Sequence, residues 1–346
     1  MPPNRPRFAA ALAAALPILL FAASSALANG AVKPAWIDGF SGWAGPGGGY
    51  LYARVHTGVP TAKPKPGEST YERLKQTVEA LELDALKGGQ VSLIGVPGTT
   101  TATADDHGFL KIHLPAGMKT GLHQVTLKVA SAGYGGRPTT VNVQVFADGG
   151  VGVISDIDDT LTDTGVTHKL KLLANTLFHS QWELKTFPGA AAAVVAVAGK
   201  HGGFPTRPTF YLSGSPWALH SRISDRFDMD GFPKGVMVLR RYSTEPLDAY
   251  KYKYPHLVEI FAAFPKTKWV LLGDTGEKDP EVYAQMRKEH PASIQAIYIH
   301  NVTKEAATSA RFAGMKLFNQ WPEAQADFQA KGLAVPAAVN AKAAAH

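Results

Sequence analysis

The segment Asp156-Ile157-Asp158-Asp159-Thr160 places three carboxylates within four positions, directly after the apolar run 151–154. Acids crowded in this way repel one another unless a cation compensates, and oxygen donors of this kind suit magnesium. A second cluster, Ser213-Gly214-Ser215-Pro216-Trp217, follows the apolar run 209–212. A hydroxyl and open backbone amides ahead of a helix make a cradle for phosphate oxygens, although Ser before Pro is equally an ordinary helix cap. The third cluster, Gly273-Asp274-Thr275-Gly276-Glu277-Lys278-Asp279-Pro280, leaves the apolar run 269–272. Gly273 permits close backbone approach there, Asp279-Pro280 also reads as a helix start, and Glu277 and Asp279 are both candidates to join Asp274 at a metal. Together these groups suit a phosphoryl transfer split into two steps by a carboxylate nucleophile.

To converge, the clusters need strands that end side by side. From 151 onward, buried apolar runs at 151–155, 209–212, 236–239, 269–272 and 296–299 alternate with helical stretches at 169–178, 189–198, 217–227, 255–264 and 280–289. That rhythm is a doubly wound α/β domain, in which ligands bind at the carboxyl ends of the strands. Residues 29–148 differ. Short apolar runs cut by glycine and proline, at 50–55, 90–96, 109–114, 123–129 and 139–146, read as strands of a small β-sandwich, with one helical stretch at 71–86. Gly149-Gly150 marks the boundary, the α/β domain is expected over 149–305, and 306–346 is a C-terminal helical segment whose Ala-rich tail frays beyond about Lys331.

Acids after one strand, serine after the next and a Gly-Asp pair after a later one resemble the signature of the haloacid-dehalogenase superfamily. That likeness implies a Rossmann-like fold with Asp156 as nucleophile, Asp158 as general acid and base, Ser213 and Gly214 on the phosphate, and Asp156, Asp158, Asp274 and Asp279 around magnesium. It also implies a lysine on the phosphate, with Lys251 and Lys253 as candidates; Leu257 and Ile260, four and seven positions on, favour Lys253. The stretch 151–302 further resembles the catalytic domain of the App1 family of phosphatidate phosphatases. The pieces that carry this are Ile154 to Thr160, Asn175-Thr176, Tyr211 to Trp217, Gly231-Phe232-Pro233 with Leu239-Arg240, Gly273 to Tyr283 and Ala296 to Ile299. The β strands resemble the accessory domain of bacterial relatives. The implied reaction is hydrolysis of phosphatidate to diacylglycerol and phosphate. About 30 residues separate Asp159 from Pro188, too few for a large cap, and an open cleft suits a bulky or membrane-borne substrate. Trp217, Phe232 and Tyr242 are the aromatics placed to touch lipid.

Arg5 and Arg7 precede an apolar run at 8–23 and the small residues Ala26-Leu27-Ala28, the pattern of a secretory signal peptide cleaved near Ala28. An exported, periplasmic or secreted protein is expected. The chain has no cysteine, which excludes disulfides and thiolate chemistry. The net charge of +7 is spread along the sequence without dense basic runs, which argues against nucleic acid and allows peripheral contact with an anionic membrane surface. No obligate protein partner is evident. A phosphatase of soluble organic phosphates and a non-catalytic binding protein stand as alternatives. A serine hydrolase lacks its Gly-x-Ser-x-Gly elbow.

Overall fold

The computed structural model describes residues 32–59, 84–163 and 184–336, with a few positions between 68 and 79. The signal-peptide segment, most of the stretch 71–86, the expected helix 169–178 and the tail beyond 336 lie outside the described residues. Among the described residues, no helix is long and apolar enough to cross a membrane.

The N-terminal strands are β1 (Trp36–Gly45), β2 (Gly48–His56), β3 (Gln90–Ile94), β4 (Thr101–Thr103), β5 (Phe109–Leu114), β6 (Gly121–Val129) and β7 (Thr139–Val145). Alternation decides their faces. Val125, Leu127 and Val129 of β6 and Val141, Val143 and Val145 of β7 are buried while the residues between them face outward. Where a two-sheet sandwich is expected, the hydrogen bonds run in one unbroken order, β4-β3-β6-β7-β1-β2-β5. Its two edges, β4 and β5, come into contact, so the sheet rolls around a single core that draws Leu51, Val91, Ile112, Leu127 and Val143 together. β1 was missed in the sequence because Gly39, Gly42 and Gly45 interrupt its apolar pattern.

The second layer is a six-stranded parallel sheet in the order β10-β9-β8-β11-β12-β13. Its strands are β8 (Val151–Ser155), β9 (Thr209–Pro216), β10 (Val236–Arg240), β11 (Lys268–Asp274), β12 (Ile294–His300) and β13 (Lys316–Phe318). The helices are α1 (Ala190–Ala198), α2 (His220–Asp230), α3 (Ala249–Ala263), α4 (Asp279–Glu289) and α5 (Trp321–Ala330). The chain moves one way from β8 to β10 and the other way from β10 through β11 to β13, so right-handed crossovers put α1 and α2 on one face and α3 and α4 on the other. α1 packs on α5 and α3 on α4, as that requires. The order reverses at β8, the position where open α/β sheets bind ligands.

Three boundaries differ from the expectation. β13 pairs with β12, and Trp321 and Phe328 of α5 are buried, so the sheet layer runs well past 305. The chain stays packed beyond Lys331, with Leu333 buried and the Val335 amide donating to the Ala196 carbonyl at 2.7 Å. Helix α3 begins six residues before the expected Pro255, because the Asp248 side chain accepts from the Lys251 amide and caps a turn ahead of the proline.

The two layers share a core. Trp43, Tyr52 and Phe109 of the β domain join the buried cluster of the α/β layer, and Trp43 meets Phe210 edge-on at 5.1 Å between ring centroids. The Ser41 hydroxyl donates to the Met237 carbonyl at 2.6 Å, and Lys111 pairs with Glu259 at 2.5 Å.

Candidate active site

Asp156 directly follows the central strand. Its amide still donates to the Leu272 carbonyl at 2.9 Å, extending the β8–β11 ladder by one bond, and the carboxylate is buried above the sheet. Asp159, the first non-glycine residue here with positive φ (57°), then turns the chain sharply. Aspartate tolerates that left-handed conformation better than most residues, and such strain gathers at functional sites. The turn is braced from behind. The Asp159 amide donates to the Thr162 carbonyl at 2.9 Å, and Trp321 Nε1 donates to the Thr160 carbonyl at 3.2 Å. His300 lies between the carbonyls of Asp159 and Asn319, each at 3.3 Å. Burial holds its imidazole below the usual value, so near neutral pH the ring carries one N–H and serves one carbonyl at a time.

β11 delivers Asp274, and the first turn of α4 delivers Asp279. Gly273 makes that approach possible, since a Cβ there would lie 2.6 Å from the Asp279 Cβ and 2.7 Å from its Oδ2. Asp279 is the first residue of α4 rather than its cap, and its Oδ2 accepts from the Asp274 amide at 3.3 Å. Thr160 donates to Asp274 Oδ2 at 3.2 Å. Oxygens of Asp156, Asp274 and Asp279 all lie within 4.8 Å of one another, every one of them buried. Burial pushes all three carboxyls above the usual range; Lys253 opposes this, and their mutual repulsion and Glu277 add to it.

Lys253 is the counter-charge, and the choice between the two lysines falls to it. On α3 it is fully buried, with Nζ 2.8 Å from Asp156 Oδ1, 2.5 Å from Asp279 Oδ1 and 3.5 Å from Glu277 Oε2. Burial works against its charge, yet those three acids hold its pKa well above the ordinary lysine value. Lys251 is exposed and uses only its backbone amide, at the helix cap.

Three buried carboxylates against one ammonium leave two formal negative charges, which one divalent cation balances. Asp156 Oδ2 is buried without a hydrogen-bond partner, so a donor atom stands ready for such an ion. The residues therefore fit magnesium through Asp156, Asp274 and Asp279. The Asp158 side chain, expected beside them, is not brought into this group. Its Oδ2 instead accepts from Ser213 at 2.5 Å and from Ser215 at 2.8 Å. Its own burial raises its pKa, against the pull of those two hydroxyls.

The serine turn arises where β9 slips register against β10 between Ser213 and Pro216. Irregularities of this kind re-aim side chains beside active sites. The Ser215 amide donates to Ser213 Oγ at 2.9 Å, and a Cβ on Gly214 would meet nothing within 4 Å, so this turn presents open backbone. Arg240, buried at the end of β10, holds the Gly214 carbonyl through Nε at 2.9 Å. Of the aromatics expected to touch lipid, Trp217 and Phe232 are buried and Tyr242 is 54% exposed. Sequence reasoning left His300, Trp321 and Arg240 without roles at the site; of these, Arg240 and His300, each at a strand's carboxyl end, carried a positional signal.

Residues 151–301 match the family model described as the catalytic domain of phosphatidate phosphatase APP1. Over 231 residues the chain is 29% identical to the phosphatidate phosphatase APP1 of Saccharomyces cerevisiae, covering 64% of this chain and 37% of that protein. An uncharacterized protein of Schizosaccharomyces pombe is 27% identical over 168 residues, 47% of this chain and 27% of the other. The chain thus spans well under half the length of either relative. A carbohydrate acetylesterase structure from Xanthomonas citri aligns over 88% of this chain and 65% of its own at 14% identity, with a TM-score of 0.25 that carries no weight for the fold. The match and the geometry fall on the same residues, and the chain carries an APP1-type catalytic domain over 151–301.

Proposed function

We propose that this chain is a magnesium-dependent phosphomonoesterase of the haloacid-dehalogenase type, hydrolysing phosphatidate or a related lipid phosphate to diacylglycerol and inorganic phosphate. The observation that carries this is Asp156, buried at the carboxyl end of the central strand with Lys253 on one oxygen and the other unpartnered.

In the first step a carboxylate oxygen of Asp156 attacks phosphorus, the bond from phosphorus to the ester oxygen breaks, and an aspartyl-phosphate forms. Asp158 gives its proton to the departing alkoxide; its raised pKa keeps that proton available. In the second step water attacks the phosphorus of the acyl phosphate, Asp158 takes the water's proton, and phosphate leaves Asp156. Ser213 and Ser215 hold the Asp158 carboxyl in one orientation through both steps. Lys253 stays charged and offsets the negative charge on the phosphoryl oxygens. Magnesium, held by Asp156, Asp274 and Asp279, supplies further positive charge at those oxygens when bound. The sequence also supports export, which would put the enzyme where it meets envelope lipids.

The test is phosphate release from phosphatidate in mixed detergent micelles, with and without EDTA. Turnover that persists in EDTA, or that survives Asp156→Asn, rules out this mechanism. Strong turnover of soluble phosphates with none on phosphatidate rules out only the lipid assignment.

A further inference from the structure

A groove of about 370 Å³ lies between the two domains, within the size range of ligand sites. The β domain lines it with Phe40 and Arg54, and the catalytic domain with Trp217, His220, Arg240 and Tyr242. Phe40 stacks on Trp217 at 4.8 Å between centroids, tying the two sides together. Its lining includes Pro216, next to Ser215, and Arg240, which holds the Gly214 carbonyl, so the groove adjoins the turn that holds the Asp158 carboxyl.

That direction has a chemical meaning. A group that protonates the leaving oxygen sits on the leaving-group side of phosphorus, opposite the nucleophile in an in-line displacement. With Asp156 as nucleophile and Asp158 as acid, the departing alcohol lies toward the Ser213–Ser215 turn and hence toward the groove. Arg240 adds a second observation. It is a buried cation whose hydrogen bonds go to neutral carbonyls, those of Gly214 at 2.9 Å, Glu245 at 3.3 Å and Tyr242 at 3.4 Å, and its Nη2 is left without a partner. A buried charged donor in that state favours an acceptor from a ligand. The lining mixes guanidinium donors and aromatic faces with the acids Asp38 and Asp105; the donors and rings match an ester neck, with carbonyl oxygens for the arginines and the first methylenes for Phe40 and Trp217. Beyond the groove, Tyr242 and Leu247 are 54% and 72% exposed on the loop after β10, where acyl chains could remain in a lipid phase.

We propose that this groove holds the leaving alcohol as the glycerol-ester neck of a lipid phosphate, so that the β domain supplies half of the substrate site. The proposal rests on the phosphatase reading above. Its test is the ratio of kcat/KM for phosphatidate in mixed micelles to kcat/KM for acetyl phosphate, whose acetyl group is too short to use the groove. Phe40→Ala and Arg54→Gln, each checked by thermal melting, are expected to lower that ratio about tenfold, the loss of one ordinary contact. Leu122→Ala, at an exposed residue outside the groove lining, is expected to leave it unchanged. An unchanged ratio in both groove variants overturns the groove assignment while leaving the phosphatase reading intact. A wild-type protein that hydrolyses acetyl phosphate but not phosphatidate overturns the lipid occupant. One that hydrolyses neither overturns the phosphatase reading itself.

Discussion

Lys253→Met isolates the charge balance of the site. The ammonium lies within 3.5 Å of Asp156, Glu277 and Asp279, and its removal leaves three buried aspartates facing one another with no cation among them. Methionine fills a similar volume, so packing changes little and the effect is electrostatic. Removing one partner of a buried ion cluster costs about 3–5 kcal/mol, because the remaining charges stay desolvated. At roughly 2–4 °C per kcal/mol for a chain of this size, the variant in EDTA is expected to melt about 10 °C below wild type. Magnesium acts in the opposite sense. A unit charge at about 4 Å contributes ~4 kcal/mol at an effective dielectric near 20, so even a strongly screened fraction leaves magnesium binding about tenfold tighter once Lys253 is gone. Turnover is expected to fall about 10²–10³-fold, the loss of one preorganised donor to the transition state. Urea unfolding in EDTA, melting curves across a magnesium titration and phosphate release measure the three effects. A variant as stable as wild type in EDTA that also binds magnesium no more tightly would falsify the charge-balance argument.

Asp274→Asn removes one of the repelling acids while its amide can still accept from Thr160; in EDTA it is expected to gain about 1 kcal/mol of stability, and to lose the magnesium-dependent rise in melting temperature. Trp43→Ala empties the shared core between the domains, where the indole meets Phe210, Tyr50 and Phe264, and unfolding calorimetry is expected to show a loss of about 3–5 kcal/mol. His256 gives a pH effect. Burial pulls its pKa down, but the carboxylates of Glu245 and Glu259, each 3.4 Å from a ring nitrogen, outweigh this and raise it, while Lys111 opposes. A group with a raised folded pKa contributes fully below its unfolded value near 6.5 and loses that contribution as pH rises through the folded value. Wild-type stability measured by urea unfolding is therefore expected to fall as pH rises above about 6.5, relative to His256→Gln. Parallel pH curves for the two proteins would remove His256 from that role.

Much of the site was legible because each acid or serine cluster follows an apolar run, and a strand's carboxyl end has one place in a parallel sheet. Asp156, Ser213 and Asp274 could be put together on that ground alone. Lys253 could not, since its helix was expected to start at Pro255. The Asp248 cap carries the helix through the proline and turns Lys253, not Lys251, toward the acids. Asp279 was open to a capping role for a similar reason, as Asp-Pro is a common helix start; the contact with Lys253 and the space left by Gly273 put its carboxylate in the cluster. His300 and Trp321 act through backbone carbonyls of the Asp159 turn, and such contacts depend on how β12 and α5 pack, which local pattern does not encode.

The Asp158 side chain lies apart from the carboxylate cluster for an instructive reason. Asp156 and Asp158 are two residues apart and chemically identical, so sequence gives no ground for treating their side chains differently. The fold separates them. Asp156 continues β8 beside β11 and meets Lys253, Asp274 and Asp279, whereas Asp158 is turned toward β9 and receives two hydroxyls. Burial raises both carboxyls, but at Asp156, the attacking group, the charge of Lys253 at 2.8 Å opposes it, whereas at Asp158, the proton donor, two neutral hydroxyls do so. If that division is real, Asp156→Asn and Asp158→Asn should differ in kind. Asp156→Asn abolishes turnover of every phosphate ester. Asp158→Asn should retain most of the rate of aspartyl-phosphate formation from acetyl phosphate, read as acetate release in a single turnover, because the leaving carboxylate needs no proton, and lose about 10²–10⁴-fold in that step on phosphatidate, whose alkoxide does. Equal losses on both substrates would return the two aspartates to a single shared role.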